Sequence, residues 1–151
     1  MAFATSYVSG RTLRDALIGT NVPNLSTNTI KAALFTDAVT AGDKNAVESY
    51  AAAPYNANEV ANGSGYTTGG LTLPGCTIST PTAGKWVFDT TDVTTAWTTA
   101  SFTARGVLIY NDTISPKRVL AAINFGSDRT VTAGTFTITW DATNGLFYST
   151  F

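Results

Sequence analysis

Four carboxylates come nearest to a reactive set in this chain: Glu48, Glu59, Asp89 and Asp92. Two carboxyl groups flanking a glycosidic bond can cleave it, one as acid and the other as nucleophile or base. Nothing in the sequence draws these four into one cleft. Glu48 and Glu59 fall in a long polar stretch, and Asp89 and Asp92 share a turn. That turn offers a cation two acids, whereas calcium takes about six to eight oxygens. The chain has no histidine, which removes Ser-His-Asp, Cys-His and His-zinc chemistry. Cys76 is the only cysteine, so neither an intramolecular disulfide nor a cysteine metal site can form. Its place in Leu73-Pro-Gly-Cys-Thr-Ile78 reads as a half-buried thiol entering a strand. Asn62-Gly-Ser-Gly65 is glycine-rich but has the spacing of neither a nucleophile elbow nor a phosphate loop. Trp86, Trp97 and Trp140 could stack on sugar rings. Trp86 and Trp140 alternate with polar residues along strands, which is the pattern of core side chains. The expectation is a chain that is not an enzyme, with no catalytic residue, cofactor or metal.

Composition points away from other classes. Charged residues make up 13% of the 151 residues, about half the usual ~25%. Two readings fit: a surface partly covered in an assembly, or a Thr-rich β-domain that is simply soluble. Nine basic and ten acidic residues are scattered along the chain. Lys117-Arg118 and the pair Arg11 and Arg14 are too sparse to neutralise a run of phosphates, so no nucleic-acid partner is expected. No run approaches ~18 apolar residues, so no membrane span is expected either. Met1-Ala-Phe-Ala-Thr-Ser-Tyr-Val8 lacks the basic region and apolar core of a secretion signal. The product is therefore expected to be made and folded in a cytoplasm.

The elements that would position any site follow from periodicity. The run Ser101-Phe-Thr-Ala-Arg-Gly-Val-Leu-Ile-Tyr110 is short, apolar and rich in β-branched and aromatic residues, which predicts a strand buried on both faces. Residues 118–125 and 130–140 predict two further strands. Others are expected at 29–36, with Ile30, Ala32 and Leu34 on one face, and at 71–79, 85–89, 93–97 and 146–151. One helix is expected over residues 9–19, capped by Ser9, with Leu13, Ala16 and Leu17 as the face to be packed. Residues 1–8 read as an extended apolar arm and residues 37–70 as a long irregular loop. Long loops of this kind are usually functional. The arm (Phe3, Tyr7, Val8) and the loop tyrosines (Tyr50, Tyr55, Tyr66) are the expected contact surfaces, since tyrosine supplies large area at low entropic cost. The fold class is an all-β antiparallel β-sandwich, with a jelly roll as one version, in a single domain over residues 1–151.

A family resemblance adds to this. Tyr7-Val-Ser-Gly10 before a short helix, Thr29-Ile-Lys-Ala-Ala-Leu-Phe-Thr36 and Gly65-Tyr-Thr-Thr-Gly-Gly70 resemble small structural proteins of tailed bacteriophages. So do Phe102 to Asp112, Ala122-Ile-Asn-Phe-Gly126, Val131-Thr-Ala-Gly-Thr-Phe136 and Trp140-Asp-Ala-Thr-Asn-Gly145. The resemblance implies a virion component, foremost a capsid decoration (cement) protein on the capsid surface. Its implied partners are the major capsid protein and other copies of itself, with a trimer as one form. It brings no site residues with it. A tail, neck or fibre-attachment protein and a carbohydrate-binding adhesion module are the alternatives.

Overall fold

The computed structural model describes residues 6–20, 22–36 and 49–150. The elements in order are β1 (Tyr7–Val8), α1 (Gly10–Leu17), β2 (Ile30–Phe35), a 3-10 turn (Tyr55–Ala57), β3 (Leu71–Thr72), β4 (Thr77–Thr82), β5 (Lys85–Asp89), β6 (Val93–Asn111), β7 (Val119–Ile138) and β8 (Phe147–Thr150). They form two antiparallel sheets, one of five strands ordered β1-β7-β6-β2-β3 and one of three ordered β4-β5-β8. The fold is thus all-β and sandwich-like.

The apolar run predicted as the central strand is the inner half of β6, between β2 and β7 in the large sheet. Alternation sorts its side chains onto two cores. Val107 and Ile109 join Ile30, Ala32, Leu34 and Phe88 between the sheets. Leu108 and Tyr110 join Ala33, Phe35, Tyr50 and Tyr55 on the opposite face. Both faces of this strand are covered, which is why it carries almost no polar residue.

Two pairs of expected strands merge. Residues 93–97 and 101–110 belong to one strand, β6, and residues 119–125 and 130–138 to another, β7. Register shifts between Val93 and Trp97, Trp97 and Ala100, and Ala100 and Phe102 break the alternation without breaking the pairing. Such bulges bend a ribbon and re-aim its side chains. Val93, Trp97, Phe136 and Ile138 accordingly lie in the core between the sheets. Thr99 and Ala133 take positive φ, 55° and 48°, at these bends. The strand expected at 71–79 is divided instead, into β3 and β4, by a turn at Pro74-Gly75 whose Pro74 carbonyl accepts from Thr91 N at 3.0 Å.

The loop tyrosines face inward. Tyr50, Tyr55 and Tyr66 are all buried within the chain, so their side chains are not the contact surface expected of them. Tyr50 stacks on Tyr110 with ring centroids 4.2 Å apart and planes within 7°. Glu59 gathers the rest: its Oε1 accepts from Tyr66 OH at 2.6 Å and Gly69 N at 2.7 Å, and its Oε2 accepts from Tyr50 OH. Tyr66 OH in turn accepts from Leu34 N at 2.9 Å, and Tyr110 OH donates to Gly69 O at 2.8 Å. Burial and the donation to Glu59 push the Tyr50 and Tyr66 phenols well above their ordinary pKa, and burial does the same to Tyr110. Gly70 closes the strap at φ +67°, where a Cβ would lie 1.9 Å from Ala32 O. Only glycine fits there.

Candidate interaction surface

Helix α1 forms where predicted, but it is turned the other way. Ser9 caps it, its Oγ accepting from Thr12 N at 3.3 Å, while Ser9 N donates to Leu120 O at 2.8 Å. The buried positions are Ser9, Thr12 and Asp15, three residues apart on one face. Thr12 Oγ1 donates to Val119 O, and Asp15 Oδ2 pairs with Arg118 Nη1 at 3.0 Å. Arg14 Nε donates to Asp15 Oδ1 at 2.8 Å. Its guanidinium holds the Asp15 carboxyl below the usual carboxylate range, against the opposing effect of burial. Buried Arg118, just before β7, needs this carboxylate, because an uncompensated charge in the interior is costly. The polar stripe is therefore the anchored one, and the expected packing face of Leu13 and Leu17 is turned to solvent. Leu13 is 57% exposed and Leu17 79%.

Exposed apolar side chains gather on this side of the molecule. Among the described residues seven large ones are roughly half exposed or more: Val8, Leu13, Leu17, Ile18, Val22, Ile78 and Tyr148. Val8, Leu13, Ile78 and Tyr148 line one cleft of about 360 Å³. Helix α1 and the Pro23–Leu25 segment form one wall of it, Trp86, Phe147 and Tyr148 of the small sheet the other, with Leu120 also lining it. No charged side chain lines it. Leu17, Ile18 and Val22 are exposed at the end of α1 and in the segment after it, where the Arg14 side chain is also exposed. A second cleft of about 430 Å³ adjoins, between Ser6, Val8 and Ala121–Ile123 on one side and Asn144–Tyr148 on the other. Both clefts thus lie between β1, an outer strand of the large sheet, and β8, an outer strand of the small one.

The remaining candidates separate. Phe3 and Glu48 lie outside the described residues. Tyr7 and Val8 form β1 and pair with Ala122 and Ala121, so residues 7–8 of the expected extended arm belong to the large sheet of their own domain. Val8 remains about half exposed and lines both clefts. Glu59 is engaged in the tyrosine network, Asp89 Oδ1 accepts from Thr90 N at 2.8 Å, and Asp92 Oδ1 accepts from Trp140 N at 2.8 Å. The acids are thus spread over separate structural duties. Cys76 is half-buried, with Sγ 3.4 Å from Leu73 O, and burial raises its pKa. Trp97 is buried in the core, Trp86 meets Phe147 edge-on at 5.9 Å, and Trp140 donates to Thr91 O at 3.3 Å. The three indoles make no common platform.

Sequence reasoning missed Leu17, Ile18, Ile78 and Tyr148 as surface residues. The signal lay in Ser9, Thr12 and Asp15, whose i, i+3, i+6 spacing marks a second, polar stripe able to seek a buried partner such as Arg118. No family model, no curated protein and no solved structure matches this chain.

Proposed function

We propose that this chain is a structural component of a bacteriophage virion, a capsid decoration protein whose partners are the major capsid protein and its own copies. One observation carries the assembling role: seven large apolar side chains are about half exposed or more, and four of them line one cleft beside a helix whose Leu13 and Leu17 face out. Their exposure adds up to about four whole residues. Covering them is worth roughly 6–12 kcal/mol at ~1.5–3 kcal/mol for each large side chain. That is of the same order as the ~4–15 kcal/mol that association costs. A face of this strength suits contacts repeated over a lattice, where many modest interactions act together. The low charge content agrees with a surface that is partly covered in use. The virion assignment itself rests on the resemblance of the strand and turn segments quoted above.

Quantitative mass spectrometry of purified virions, with the major capsid protein as internal standard, tests this reading. Hundreds of copies in simple ratio to the capsid protein are expected. A handful of copies would move the chain to the neck, tail or a fibre, and absence from the particle would overturn the virion reading.

A further inference from the structure

The buried side of α1 is fastened by polar groups. Ser9 N donates to Leu120 O at 2.8 Å, Thr12 Oγ1 donates to Val119 O, and Asp15 Oδ2 pairs with Arg118 Nη1 at 3.0 Å. The cap and one residue in each following turn thus meet three consecutive residues at the entry to β7. No side chain of α1 belongs to either apolar core. Its Leu13 and Ala16 reach the wall of the cleft, and Leu13 is still 57% exposed. We infer that α1 is a releasable cover, lifting from residues 118–120 as a unit while both sheets stay folded.

The energetics of the attachment support release. Apolar burial is the dominant favourable force in folding, and α1 adds little of it. Its hydrogen bonds are exchanged for bonds to water when it lifts, so each holds it only modestly. The Asp15–Arg118 pair holds it less than its short distance suggests, because charges returned to water regain the hydration that burial removed. Eight residues are too few to keep helical turns without packing, so lifting and unwinding go together. The ends of the segment are suited to this. Gly19 stands at φ +73° with open space around it, and β1 before the helix pairs at two positions only. Beyond it the chain is held again, with Leu25 packed on the core and Asn28 Oδ1 accepting from Asn111 Nδ2 at 2.7 Å. The moving part is therefore bounded near residues 9–20. Since α1 is one wall of the cleft, its release uncovers Leu120, Trp86 and Phe147 on the other walls.

This inference goes beyond the proposed function and holds whether or not the chain serves in a virion. Native-state hydrogen exchange of the full chain in a series of low urea concentrations tests it. The amides of Leu13 and Ile18, bonded within the helix at 3.1 Å, are expected to exchange roughly 100-fold or more faster than those of Leu108 and Ile109 in β6, as a local opening allows. Their rate should depend little on urea, because little surface is exposed on opening, whereas the β6 rate should rise steeply. Asp15→Asn and Thr12→Val are each expected to speed α1 exchange roughly tenfold, as loss of one buried polar contact does. Leu13→Ala should change it less. Exchange of α1 and β6 at one rate with one urea dependence would overturn the inference, since the helix would then open only with the whole molecule. So would α1 exchange indifferent to both polar variants, a larger effect of Leu13→Ala, or an Asp15→Asn chain that unfolds outright.

Discussion

Glu59 shows how much one side chain can settle. Its carboxylate accepts from two phenols and a backbone N–H, and so ties distant parts of the loop at 49–70 together, while Tyr66 and Tyr50 reach the large sheet through Leu34 N and the Tyr110 ring. Glu59→Ala leaves those donors without their acceptor, and each buried unsatisfied group costs about 1–3 kcal/mol. Glu59 is itself half-buried and water can reach part of the network. The expected loss is therefore about 2–4 kcal/mol in urea unfolding, with Glu59→Gln losing less because one carbonyl oxygen remains. A Glu59→Ala chain as stable as the parent would show that the network contributes little. The sequence announces the tyrosines as conspicuous but does not say which way they face. Tyrosine suits an interface and a half-polar core equally well, and the deciding partner, Glu59, is separated from Tyr50 and Gly69 by loop geometry that no periodicity encodes. Phe88, Val107 and Ile109 are easier cases, because each sits in an apolar run that only a core accommodates.

At the scale of elements, the central strand was legible because both its faces are covered and its apolar run is therefore continuous. The unity of β6 and of β7 was not, since bulges near Trp97, Ala100 and Phe102 destroy the period-two pattern on which strand reading depends. The helix was legible as a helix: Ser9 caps it, and Gly19 at φ +73° ends it. Its orientation was not, because amphipathicity identifies an apolar face without saying that the face is the buried one. The bends in the ribbon give a second prediction. Ala133 holds φ +48°, a region that costs a residue with a Cβ roughly 1–2 kcal/mol relative to glycine. Part of that gain is cancelled by the greater freedom of glycine in the unfolded chain. Ala133→Gly is expected to raise the thermal midpoint by a few degrees, and Ala133→Val to lower it by more, as calorimetry would show. Equal midpoints for all three would mean that the ribbon relaxes its bend freely.

For the whole molecule, three of the buried phenols make alkali the condition to test. Tyr50, Tyr66 and Tyr110 all have pKa values raised above the ordinary phenol value. Above pH ~10 the unfolded chain loses these protons and the folded one keeps them, so stability is full below that pH and falls as pH rises. Three groups together remove about 4 kcal/mol for each further pH unit. The chain should therefore unfold cooperatively in alkali above pH ~10, with the phenolate absorbance of these three tyrosines appearing only as circular dichroism is lost. Phenolate formation in a still-folded chain would count against the tight strap. The placement of β1 and β8 has a different consequence. The first and last strands described are far apart in sequence, yet Ser6 and Tyr148 line the same cleft. A pair of spectroscopic labels at Ser6 and Tyr148 would therefore report on that cleft directly, their separation shifting when something docks there.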